Sequence, residues 1–88
     1  MLQTKHITFG KLNGAVYDFP DAGDVLPMHQ HGETDIHITV VARGLFRAHG
    51  NGWEREVRAG DVIDWRPHDP HEFIALEDNS RIVNIIKG

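Results

Sequence analysis

Seven histidines stand in a chain of 88 residues, and they are unevenly spread. His29, His31 and His37 form one group and His68 and His71 a second, while His6 and His49 stand apart. Imidazoles at i and i+2 of an extended strand point to the same side about 6–7 Å apart, a separation from which two rings can close on one ion. His29 and His31 have that spacing. In the run Asp35-Ile36-His37-Ile38-Thr39-Val40-Val41-Ala42, alternation puts Asp35, His37, Thr39 and Val41 on one side and Ile36, Ile38 and Val40 on the other. One side of that strand is apolar, and the other begins with two potential metal ligands. Burying several imidazoles without an ion or hydrogen-bonding partners is costly, so the chemistry these residues point to is the holding of one divalent transition metal. Neutral imidazole suits Fe, Mn, Ni, Cu and Zn, and ligand type alone does not choose among them. No nucleophile elbow, P-loop or dinucleotide fingerprint is present.

The elements that must position these side chains are strands. Turn formers punctuate the chain every few residues, and no stretch carries a helical period. The alternation predicts strands near His6–Phe9, Ala15–Phe19, Val25–His29, Asp35–Ala42, Leu45–His49, Trp53–Arg58, Asp61–Trp65, His71–Leu76 and Arg81–Ile86. Gly50-Asn51-Gly52 is the clearest hairpin signal, since Asn-Gly accepts the positive φ of a tight β-turn. Many short strands at close spacing imply an all-β sandwich or closed barrel. No linker, repeat or low-complexity tract divides the chain, so residues 1–88 are expected to form one domain.

A core built from 88 residues is thin, and small β domains supplement it with disulfides, a metal or a partner subunit. The chain has no cysteine, which leaves the last two. A formal net charge of −4 and the lack of a basic stripe argue against a nucleic-acid partner. No apolar run approaches a membrane span. Met1–His6 lacks the apolar stretch of a signal peptide, so the cytoplasm is the expected location.

Two segments resemble the motifs of the cupin superfamily, G-x5-H-x-H-x3–4-E-x6-G and G-x5-P-x-G-x2-H. Gly23-Asp24-Val25-Leu26-Pro27-Met28-His29-Gln30-His31 matches the opening of the first, with Gly44 as its closing glycine. Gly60-Asp61-Val62-Ile63-Asp64-Trp65-Arg66-Pro67-His68-Asp69-Pro70-His71 keeps the glycine-to-histidine distance of the second, and the resemblance spans roughly residues 10 to 87. It implies a single antiparallel cupin barrel, a double-stranded β-helix or jelly roll, with His29, His31 and His71 as metal ligands. The usual glutamate is missing from its register, because two extra residues lie between His31 and Gly44. Counting back from Gly44, its place falls on His37; counting forward from His31, the nearest acid is Asp35. An insertion fits the turn around Gly32-Glu33-Thr34 more easily than a strand, which favours His37, with Asp35 as the alternative.

Arg66 and His68 stand where the second motif commonly has proline and glycine. Arg66 is read either as a bidentate anion binder beside the metal or as an exposed partner of Asp64 or Asp69. Asp64 is read either as the orienting partner of a ligand histidine or as a solvent-facing strand end. His6 and His49 are read as surface histidines and His68 as no ligand. Trp53, Trp65 and Phe73 are assigned to core or subunit interface.

The resemblance implies a metal-dependent enzyme of the dioxygenase, isomerase or lyase type acting on a small oxygen-rich molecule, with the ion as Lewis acid. The alternatives are a non-catalytic metal- or ligand-binding module for sensing or storage, and a metal-free structural barrel. The sequence shows no separate general base; Glu33, Asp35 and Glu72 are near the motifs. Cupins of this size resemble dimers, so a homodimer is expected.

Overall fold

The computed structural model describes residues 1–32 and 36–87. Its regular elements are nine strands: β1 (Gln3–Phe9), β2 (Leu12–Phe19), β3 (Val25–His29), β4 (Ile36–Arg43), β5 (Leu45–Gly50), β6 (Trp53–Arg58), β7 (Val62–Asp64), β8 (His71–Ala75) and β9 (Ser80–Lys87). They pair antiparallel into a five-stranded sheet, β1-β2-β9-β4-β7, and a four-stranded sheet, β3-β8-β5-β6. β1 and β2 form one hairpin and β5 and β6 another, and every other consecutive pair of strands switches between the two sheets, as in a jelly roll. No helix in the described residues is long and apolar enough to cross a membrane.

The sheets close over side chains that alternate inward. Phe19, Phe46, Phe73 and Ile82 are fully buried, with Val41, Val57 and Ala75 beside them. The Phe19 and Phe46 rings meet edge to face with centroids 4.8 Å apart, the arrangement their quadrupoles favour. The strand signals found their places, and β3 and β6 have the expected limits. The expected β1 and β2 were too short: polar Gln3–Lys5 and Leu12–Gly14 join ladders through main-chain pairing with no strong side-chain pattern.

β4 turns its more polar side to the interior. His37, Thr39 and Val41 point inward and are buried, whereas Ile36, Ile38 and Val40 lie on the outer surface. The apolar side of this strand therefore faces away from the core, because the inner side carries the polar groups that the barrel interior needs.

Gly44 follows β4 with φ near +89°, and a Cβ there would collide with Ser80. The closing glycine of the first motif is thus required by both backbone and space.

Candidate metal centre

β3 and β8 lie side by side with His29 directly opposite His71, after a register shift between Leu26 and His29. β4 brings in His37 from the other sheet. His31 lies just beyond β3, where its carbonyl accepts a 2.7 Å hydrogen bond from the His68 amide. His68 adopts φ near +60°, a left-handed conformation that histidine tolerates better than most residues. This explains a histidine where the motif commonly has glycine: its backbone clamps His31 while its own side chain is exposed.

The four imidazoles are neighbours. Ring centroids are 5.3 Å apart for His29 and His31, 4.4 Å for His29 and His71, 4.3 Å for His31 and His37, and 5.6 Å for His37 and His71. Several of these contacts are edge to face, and among the described residues no group of three or more His, Cys, Asp or Glu side chains forms a ready-made cage. Closing the rings on an ion therefore requires side-chain rotation.

The donor set nonetheless fits an ion. His29 Nδ1 donates to the Pro27 carbonyl and His71 Nδ1 to the Asp69 carbonyl, each at 2.8 Å. With Nδ1–H so engaged, the lone pair resides on Nε2, the tautomer of an Nε2 ligand oriented by a backbone carbonyl. Nε2 of His37 and Nε2 of His71 are both buried and have no hydrogen-bond partner among the described residues, an arrangement that native interiors rarely leave without a purpose.

Burial pushes the His37 imidazole down to about 4, helped by the neighbouring His31, His71 and His29. Burial likewise pushes His71 down to about 4, against the opposing pull of the Asp69 carbonyl. His31 is lowered by burial and by His29. His37 and His71 are thus held neutral at physiological pH, as metal ligation requires.

Trp65 fixes one side of the centre. Its indole stacks on the His71 ring with centroids 3.8 Å apart and planes 13° from parallel. Its Nε1–H donates to Thr39 Oγ1 at 2.8 Å, and Thr39 Oγ1 donates in turn to Asn84 Oδ1. Thr39 and Asn84 are buried, so this chain crosses the barrel interior.

Asp35 and Glu33, the alternative ligand and a candidate base, lie outside the described residues. Glu72, a candidate base by its proximity in sequence, is turned away from the centre. It points to the other side of β8 from His71, accepting hydrogen bonds from His49 Nε2 at 2.8 Å and from the Met28 amide at 3.0 Å. His49 is accordingly half-buried and paired, no longer a free surface histidine. Asp64 is exposed at the end of β7 and does not orient a ligand, a role taken here by main-chain carbonyls. Arg66 is exposed.

His6 is exposed on β1, as expected of a surface histidine, and with Asn13, Tyr17, His31, Asn84 and Ile86 it lines a cavity of about 160 Å³ beside the cluster. The alternation of β1 carried this signal, but an edge strand of polar residues offered no apolar side from which to read it. Burial raises the Tyr17 hydroxyl above its ordinary value, partly offset by its hydrogen bond to Asn84, so Tyr17 stays protonated.

Residues 12–84 match the model of the AraC-like ligand binding domain. The chain belongs to this family. It is a small cupin domain, and its strands superimpose on those of several solved cupins. KdgF from a Halomonas species is similar at 28% identity and a TM-score of 0.83, with 97% of this chain and 76% of that one covered. A protein with a double-stranded β-helix domain from Klebsiella pneumoniae has a TM-score of 0.85 at 18% identity, covering 98% of this cupin and 76% of that chain. A predicted oxalate decarboxylase from Thermotoga maritima has a TM-score of 0.83 at 19% identity, covering 98% and 79%. These last two show the fold alone. No curated protein matches this cupin.

Proposed function

We propose that this cupin holds one divalent transition metal through His29, His31, His37 and His71, and uses it to bind and act on a small oxygen-rich molecule. The observation that carries this reading is the pair of buried Nε2 atoms on His37 and His71 without partners among the described residues, on two imidazoles whose pKa values burial depresses, beside His29 and His31. The family description, ligand binding, supports the cavity at His31 as the place for the molecule. When bound, the ion supplies Lewis acidity toward a carbonyl or hydroxyl oxygen.

The chain's own residues do the rest. Tyr17, protonated near neutral pH like any phenol and more firmly so for its burial, presents a hydroxyl donor to the cavity, and Asn84 holds that phenol while its amide is fixed by Thr39. Trp65 restrains His71 by stacking and excludes water from its buried side. His6 and Asn13 add polar groups at the cavity wall.

A non-catalytic sensor or storage module is the second reading. It is favoured by one observation: among the described residues the hydrogen bonds that orient His29 and His71 come from carbonyls of the main chain, and Glu72 is turned away.

Metal analysis of untagged protein tests the site. His29→Ala is expected to lower both metal content and melting temperature, because an ion that binds only the folded state at 100 times its Kd stabilises it by about 2.7 kcal/mol. Unchanged stoichiometry in that variant would remove His29 from the ligand set. Oxygen uptake by Fe(II)-loaded protein with enediols and β-dicarbonyls separates the two readings: sustained uptake supports the enzyme, and binding without uptake supports the module.

A further inference from the structure

A second cleft of about 260 Å³ is lined by Trp65, which stacks on the His71 imidazole, together with Trp53, Arg55, Ile63, Asp64 and Asp69. It opens at the seam where β6, the edge of the four-stranded sheet, meets β7, the edge of the five-stranded sheet. It shares no lining residue with the cavity at His31.

Its composition is unusual for a structural seam. The sequence holds two tryptophans, and both line this cleft, with centroids 5.8 Å apart and planes tilted by 40°. Trp53 is half-buried, so a polarisable aromatic surface remains open to a ligand. The position is built: a Cβ on Gly50 would collide with the Trp53 indole and the Pro70 carbonyl, so this glycine lets the indole close down beside the segment that carries His71. Ion pairs among the described residues use Arg43, Arg47 and Arg81, and Arg55 has no ion-pair partner among them. Asp64 and Asp69 likewise make none through their carboxylates, although both line the same cleft as Arg55.

We infer that this cleft is a second small-molecule site, and that its ligand is a zwitterion carrying an ammonium and a carboxylate. Indole faces attract organic cations through the ring quadrupole, most strongly when the cation is methylated and weakly hydrated. The carboxylates of Asp64 and Asp69 add to that attraction. The Arg55 guanidinium supplies the opposite pole and matches a carboxylate bidentately. A plain cation leaves Arg55 unmatched and a plain anion faces two aspartates, so a zwitterion satisfies all the groups together. The volume suits a molecule the size of a small amino acid. The inference stands whether or not the histidine cluster holds a metal, but the shared Trp65 ring makes a ligand in the cleft a neighbour of His71.

Because both tryptophans line the cleft, intrinsic fluorescence reports its occupancy directly. Metal-free protein is titrated with glycine betaine, with tetramethylammonium, with acetate and with an uncharged polyol. Betaine is expected to change the emission saturably, with the other three binding at least about tenfold more weakly, a difference of about 1.4 kcal/mol. Arg55→Gln is expected to bring betaine down to the affinity of tetramethylammonium, and Asp69→Asn to weaken both cations together. Circular dichroism confirms that these exposed and half-exposed substitutions keep the fold. No saturable response to betaine at millimolar concentration would overturn the inference. So would tighter binding of the polyol, or equal binding of betaine by the Arg55→Gln variant.

Discussion

At the scale of residues, the histidine cluster stores a dependence on pH. His37 and His71 have pKa values of about 4 in the fold against an ordinary 6.5. As pH is lowered, each therefore binds a proton in the unfolded chain before it does so in the native one, and stability falls with pH over the range in which the unfolded state binds more protons. The contribution is fully present above about pH 6.5 and is lost as pH falls through about 4. At about 1.4 kcal/mol per pKa unit this is a loss on the order of 3 kcal/mol for each ring, most of it from burial. Urea unfolding of chelator-treated protein at about pH 7.5 and about pH 4.5 checks this. The midpoint is expected to be lower in acid and flat from neutral to mildly alkaline pH. A midpoint unchanged between pH 6.5 and 4.5 would mean that the rings are not buried as neutral groups.

At the scale of elements, the site depends on how strands are joined. Gly44 is the hinge between β4, which carries His37, and β5. Ser80 fills the space against it, with its hydroxyl donating to the Glu77 carbonyl at 2.8 Å. Gly44→Ala forces a side chain into a left-handed conformation and into Ser80, and is expected to cost about 2–4 kcal/mol. In a domain of this size the melting temperature should then drop by roughly 10 °C or more. Gly23→Ala is the control: its φ is also positive, near +94°, but a Cβ there meets nothing within 4 Å. It should cost only the backbone strain, about 1–2 kcal/mol. Equal losses in the two variants would show that contact with Ser80 contributes nothing.

At the scale of the whole molecule, the outer side of the five-stranded sheet is apolar across three strands. Ile38 pairs with Ile85 and Val40 with both Val83 and Val62, all pointing away from the core. Val62 is 61% exposed and Ile36 39%, and a groove of about 210 Å³ lined by Ile7, Phe9, Leu12, Val83 and Ile85 continues the surface. We propose that a second copy of the chain covers it. The surface is apolar, as a self-complementary patch under two-fold symmetry needs to be, and the core beneath it is thin. Light scattering at micromolar concentration is expected to give twice the 10.0 kDa chain mass, and Val40→Lys the single mass with the fold retained. A monomer for the unaltered protein would refute the proposal.

The fold was legible in the sequence because strand alternation and turn chemistry are local. Gly50-Asn51-Gly52 turns β5 into β6 as expected, and all nine strand signals correspond to strands. The histidines and the cupin motifs were legible too, since i, i+2 spacing decides direction within one strand. The sequence alone left open which side of β4 faces inward, because Ile36, Ile38 and Val40 are apolar enough for a core and only the closure of both sheets turns them outward. It was equally silent on the Nδ1 bonds to Pro27 and Asp69 carbonyls, the pairing of Glu72 with His49, the place of His6 at the cavity rim and the stacking of Trp65 on His71. Each of these depends on main-chain groups or side chains far apart in the chain, whose meeting is set by strand register and sheet packing and by no local pattern.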